Sequence, residues 1–81
     1  MRRYEKRSGR GAITGYEILP EGIILEFNFE DEYLYDYSKP GKDMLEQMKI
    51  LAERGEGLTT YVNQHGRGNY KRKQNKKASH F

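Results

Sequence analysis

Between Ile23 and Glu30 the side chains alternate: Ile23, Leu25, Phe27 and Phe29 fall on one side of an extended chain, and Ile24, Glu26, Asn28 and Glu30 on the other. Only a β-strand, whose successive side chains point to opposite faces, turns this order into one apolar and one mixed surface. Such a strand needs strand neighbours and a covering layer, because an uncovered three-stranded sheet is only marginally stable. The flanking sequence supplies both. Residues 12–19, with Tyr16 and Ile18 on one side and Glu17 and Leu19 on the other, read as a first strand. Leu19-Pro20-Glu21-Gly22 then forms a tight turn, with proline where a fixed φ is wanted and glycine in the fourth place. After the acidic turn Glu30-Asp31-Glu32, residues 33–38 place Tyr33, Tyr35 and Tyr37 on one face of a third strand.

The period changes beyond Ser38. Serine can cap free helical amides and Pro40 is tolerated in a first turn, so a helix is predicted over residues 41–54. Met44, Leu45, Met48, Leu51 and Ala52 give it one apolar stripe, and Gly55 follows Arg54 where a left-handed cap belongs. The expected fold class is α+β, a three-stranded antiparallel meander with one helix packed on the Phe27/Phe29 face, and basic flexible termini. Leu58–Asn63 reads as a structured loop or short extension. Residues 71–81, KRKQNKKASHF, hold too few apolar groups to offset the entropy of ordering and are expected to be disordered. The chain thus divides into a basic arm over 1–10, an α+β domain over 11–70 and a basic tail over 71–81.

With 81 residues and no cysteine, the protein has one small core and no disulfide to reinforce it. The absence of cysteine and of an apolar N-terminal stretch points to a reducing, cytoplasmic location. Apolar runs reach only three residues, as at Ile23-Ile24-Leu25, where a membrane span needs about 20.

Charge is segregated along the chain. Residues 1–10 carry five basic side chains and one acid; residues 11–66 carry eleven acids against Lys39, Lys42, Lys49 and Arg54; residues 67–81 carry six basic side chains and no acid. Basic ends on an acidic body are the pattern of nucleic-acid-binding arms, and equally of tails that confer solubility or fold back on the body.

Tyr16, Phe27, the strand Tyr35-Asp36-Tyr37 leading into a helix, and the run Tyr61-Val62-Asn63-Gln64-His65-Gly66-Arg67-Gly68-Asn69-Tyr70 are arranged as in a known family. From Ile13 to Tyr70 the chain resembles the KTSC domain, a small bacterial and phage family also found at the C-terminus of some lysyl-tRNA synthetases. The final run is similar to that family's aromatic-x-Asn-x-x-Ile-Arg-x-x-Tyr ending, with Gly66 in place of isoleucine and Leu58-Thr59-Thr60 lengthening the approach. The resemblance implies a short sheet plus a helix and, through the synthetase association, RNA; it implies no catalytic residue.

Asn63, His65, Arg67 and Tyr70 form the densest polar cluster in the sequence. Arginine can grip a phosphate in a fork and tyrosine can stack on a base, whereas the structural alternative has Asn63 closing a turn, Arg67 pairing with Asp36 and Tyr70 packing on the sheet edge. Tyr33, Tyr35 and Tyr37 offer a second stacking platform if their face is open. Neither His65 nor His80 has a partner at metal-ligand spacing, there is no cysteine, and no second acid–base group is evident, so neither an enzyme nor a metal or other cofactor is expected. Gly66-Arg67-Gly68 lacks the lysine and the strand-to-helix setting of a phosphate loop. The predicted function is therefore non-catalytic binding of RNA or DNA through Arg2, Arg3, Arg7, Asn63, Arg67, Tyr70, Lys71, Arg72 and Lys73. The alternative is a protein-interaction module that uses a sheet edge or the aromatic face.

Overall fold

The computed structural model describes residues 1–4, 13–65 and 68–75. Five strands, β1 (Arg2–Arg3), β2 (Ile13–Leu19), β3 (Gly22–Phe27), β4 (Asp31–Asp36) and β5 (Arg72–Asn75), form one sheet in the order β1-β2-β3-β4-β5, and every neighbouring pair is antiparallel. Two helices, α1 (Lys42–Arg54) and α2 (Leu58–His65), accompany it. The expected meander is present as β2, β3 and β4. It is extended on both sides by segments whose composition speaks against strands.

At the β2–β3 turn, Gly22 is required: a Cβ there would come within 2.9 Å of the Tyr35 carbonyl oxygen on the next strand. At the β3–β4 turn, Asn28 and Phe29 both have positive φ (55° and 60°), and the Glu30 amide donates to the Phe27 carbonyl at 3.0 Å. Two left-handed central residues define the mirror-image turn whose twist suits a hairpin. Phe29 therefore leaves the inner face that the alternation assigned to it and stands exposed.

The inner face is built from Ile13, Tyr16, Ile23, Leu25, Phe27, Tyr33 and Tyr35, closed over by Leu45, Met48, Leu51 and Ala52 of α1 and by Leu58 and Val62 of α2. Phe27 is fully buried, as the alternation predicted. α1 ends at Gly55 (φ 82°), whose amide donates to the carbonyls of Leu51 and Ala52, as the glycine signalled. Its start differs from expectation. Gly41 occupies the cap position without a side-chain bond, while the Ser38 hydroxyl and amide both bond Asp36 Oδ1, at 2.6 and 2.9 Å. Asp36 closes its own turn in this way, and Ser38 is taken up before the helix begins.

Four further expectations change. Leu58–His65 is a helix because Leu58 and Val62, one turn apart, are both buried against the core; a single i, i+4 pair is too short a signal to read against a loop. Residues 72–75, expected within a disordered tail, pair with β4 through Asp31↔Asn75, Glu32↔Gln74, Tyr33↔Lys73 and Leu34↔Arg72. Arg2 and Arg3, expected in a flexible arm, pair with Tyr16 and Gly15, and Tyr4 beside them is buried. Tyr33 and Tyr35 lie under the helices at 8% and 0% exposure, and Tyr37 is half-buried, its hydroxyl 3.0 Å from Glu46 Oε2. The aromatic face is thus the floor of the core, which removes it both as a base-stacking platform and as a partner site.

Candidate binding surface

Both helices pack against the same side of the sheet, and among the described residues no element covers its other side. Residues paired in register across strands share a face, so the registers define three rows there. One runs Arg3, Gly15, Glu26, Glu32, Gln74; the next Glu17, Ile24, Leu34, Arg72; the third Leu19, Gly22, Asp36. Ile24 and Leu34 are half-buried at the centre, whereas Glu17 and Arg72 are exposed at the two sides. Ile24, Glu32, Leu34, Arg72 and Gln74 line a shallow hollow of about 110 Å³.

Glu26 anchors one end of this face. It is 1% exposed, and its Oε1 accepts hydrogen bonds from Arg3 Nη1 at 2.7 Å and the Thr14 hydroxyl at 2.8 Å. Gly15 makes room for this arrangement: a Cβ there would come within 3.1 Å of Glu26 Oε1 and of the Arg2 carbonyl. Arg3 also donates to the Thr14 carbonyl and lies over the exposed Phe29 ring, 5.4 Å from its centroid. At the other end, Lys71 Nζ stands 3.1 Å from Asp36 Oδ2. The hydrogen bond from Ser38, with Lys71 and the Ser38 and Lys39 amides, holds the Asp36 carboxyl down at about 2.

The predicted nucleic-acid residues do not converge. Arg2 and Arg3 lie on β1, and Arg72 and Lys73 on β5, the opposite edge, four strand spacings of about 4.8 Å away. Each pair also splits between the faces. Arg2, in register with Tyr16, is on the helix side, where a hydrogen bond with Tyr16 raises its pKa. Arg3 is on the open side. Arg72 is on the open side, and Lys73 sits 5.5 Å from the centroid of the Tyr33 ring on the other. Lys71 is paired with Asp36, in the place the sequence reading allowed for Arg67. Tyr70 packs edge-on against Tyr33 at 4.8 Å, so its ring belongs to the core margin. Asn63 is exposed on α2, and the His65 ring lies 4.5 Å from that of Tyr61. Arg7 and Arg67 lie outside the described residues.

Glu17, Ile24, Leu34 and the Arg3–Glu26 pair escaped the sequence reading. Ile24 and Glu26 were visible as the second side of the central strand, but their neighbours depend on register and on two strands that the sequence did not announce. Among the described residues no group of three or more His, Asp or Glu side chains could hold a metal, and no helix is long and apolar enough to cross a membrane. No protein-family model matches the chain, and no curated protein or solved structure is significantly similar to it.

Proposed function

We propose that this chain is a non-catalytic, KTSC-like binding module of the cytoplasm whose working surface is the open side of the sheet and whose partner is a protein. The observation that carries this reading is the row Glu17, Ile24, Leu34, Arg72: a half-buried aliphatic centre with charge only at its ends. An apolar core with a polar rim is the layout of a protein interface. A nucleic-acid platform instead offers stacking rings and unopposed cations, whereas here the rings are in the core, and Arg3 and Lys71 are bonded to carboxylates.

The test is capture from nuclease-treated lysate by the wild type and by Leu34→Lys, with folding of both checked by circular dichroism. Proteins retained after nuclease by the wild type and lost by the variant support the reading. Recovery that the variant leaves unchanged sinks it.

One observation favours nucleic acid as a second reading: Lys71, Arg72 and Lys73 are consecutive and exposed. Nonspecific binding of RNA or DNA in the micromolar range or weaker would draw on them together with Arg2, Arg3, Arg7 and Arg67. Each phosphate contact releases a counterion, so replacing the three residues by glutamine should flatten the slope of log K against log salt by roughly two to three units. Unchanged binding by that variant, or none at about 50 mM salt, removes this reading.

A further inference from the structure

The central row of the open face is charged antisymmetrically. Along it an acid stands on β2, two aliphatic residues on β3 and β4, and a base on β5, every neighbour in direct register. Neither Glu17 nor Arg72 has an ion-pair partner among the described residues. A surface whose two ends are opposite in charge and whose middle is apolar is complementary to itself when turned about a two-fold axis parallel to the strands and midway between β3 and β4. That rotation sets Glu17 of each copy over Arg72 of the other, and Ile24 over Leu34 twice.

The neighbouring row tolerates the same operation. Glu32 meets Glu26, which is buried and already balanced by Arg3, and Gln74 meets Gly15, which offers no side chain to clash. An axis perpendicular to the strands would instead set Glu17 on Glu17 and Arg72 on Arg72. Strands in the favoured arrangement stay roughly aligned between the copies, as in sheets packed face to face.

We infer that the occupant of the open face is a second copy of this chain, packed as a two-fold sheet sandwich; the inference rests on the protein-binding reading above. Four strands of four to seven residues give a patch roughly 20 Å on a side, or roughly 400 Å² per copy, about half of what a standard interface buries on each partner. The dimer is accordingly weak and exchanging, with a dissociation constant on the order of 100 μM, and it forms where the chain is concentrated or tethered.

Sedimentation equilibrium of the full chain from about 10 μM to 1 mM tests this, since that range brackets the expected constant. A reversible monomer–dimer equilibrium is expected. Glu17→Arg and Arg72→Glu, each on an exposed side chain, should separately weaken it about tenfold or more, because each sets two like charges face to face in both symmetric contacts. The double variant Glu17→Arg/Arg72→Glu should return to within about threefold of the wild type, since the pairing is restored with its signs exchanged. Thermal melts of all three variants confirm that folding is intact. A wild type that is monomeric at every concentration, single reversals without effect, or single reversals that the double variant fails to rescue would each overturn the inference. If the wild type is monomeric while Leu34→Lys still abolishes capture of protein from lysate, the protein-binding reading stands and only the second copy is excluded.

Discussion

The hydroxyl oxygen of Tyr4 accepts a hydrogen bond from the backbone amide of Leu58 at 3.0 Å, joining the segment after β1 to the first turn of α2 across 54 positions of sequence. Opening amides of a helix have no partner within it, and this one is buried. Tyr4 serves at once as a core ring, set edge-on to Tyr16 at 6.5 Å, and as a helix cap supplied from a distance. Residues 1–4 of the arm expected to be flexible are thereby part of the folding unit, and residues 5–10 lie outside the described residues.

Tyr4→Phe keeps the ring and strands the Leu58 amide, at a cost of about 1–3 kcal/mol. Tyr4→Ala also opens a cavity and should cost about 3–5 kcal/mol, enough to unfold most of so small a domain. Burial raises the Tyr4 pKa above the ordinary 10.0, so the stability it lends is complete below pH 10.0 and is lost as alkaline pH climbs towards the folded value. Urea melts between pH 8 and 11 should show a shallower alkaline loss in Tyr4→Phe than in the wild type.

Phe27→Ala should cost about 3–5 kcal/mol, since the ring is fully buried and packs edge-on to Tyr33 at 5.1 Å. A cooperative variant with an unchanged melting temperature would place the core elsewhere.

Arg3→Ala strips the buried Glu26 carboxylate of its charged partner. Losses of 3–5 kcal/mol are usual when a fully buried pair is broken, and the half-exposed arginine here lowers the expectation to about 2–3 kcal/mol. Glu26→Gln combined with Arg3→Ala should lose less than the sum of the single changes; additivity in denaturant melts would show that the two groups are not coupled.

Asp36 is held at about 2, below its ordinary 3.8. A carboxyl with a depressed folded value stabilises the fold above its unfolded value, and that contribution disappears as the pH falls through about 2. Acid denaturation from pH 5 downward should therefore be less steep in Asp36→Asn than in the wild type. Equal slopes would mean that the Ser38 and Lys71 contacts do not persist in solution.

Removing residues 72–81 should lower the melting temperature and speed hydrogen exchange of the β4 amides, because β4 becomes an edge and Tyr33 loses its cover by Lys73. The net stability change should stay below about 2 kcal/mol, as the backbone pairing of a four-residue strand, at about 1 kcal/mol per ladder bond, is offset by the entropy of ordering the same residues. Unchanged melting and exchange would show that β5 is not docked in solution.

The sequence by itself determined the β2–β3 hairpin, the existence of a third strand and α1, for a physical reason, whereas the turn expected at Glu30-Asp31-Glu32 lies at Asn28-Phe29 and leaves Asp31 and Glu32 in β4. Alternation from Ile23, the Pro20–Gly22 turn and the stripe from Met44 to Ala52 are local signals, each written within one or two turns of chain and each decided by which side chains avoid water. Tertiary structure decided the rest. Arg2–Arg3 and Arg72–Asn75 become strands because β2 and β4 present unpaired backbone edges to them, and backbone pairing is nearly blind to side-chain type. Leu58–His65 becomes a helix because Leu58 and Val62 find the core and Tyr4 finds the Leu58 amide. The candidate surface exists only through register. Glu17, Ile24, Leu34 and Arg72 are up to 55 positions apart, and a slip of one residue in any strand would turn its member of the row to the opposite face.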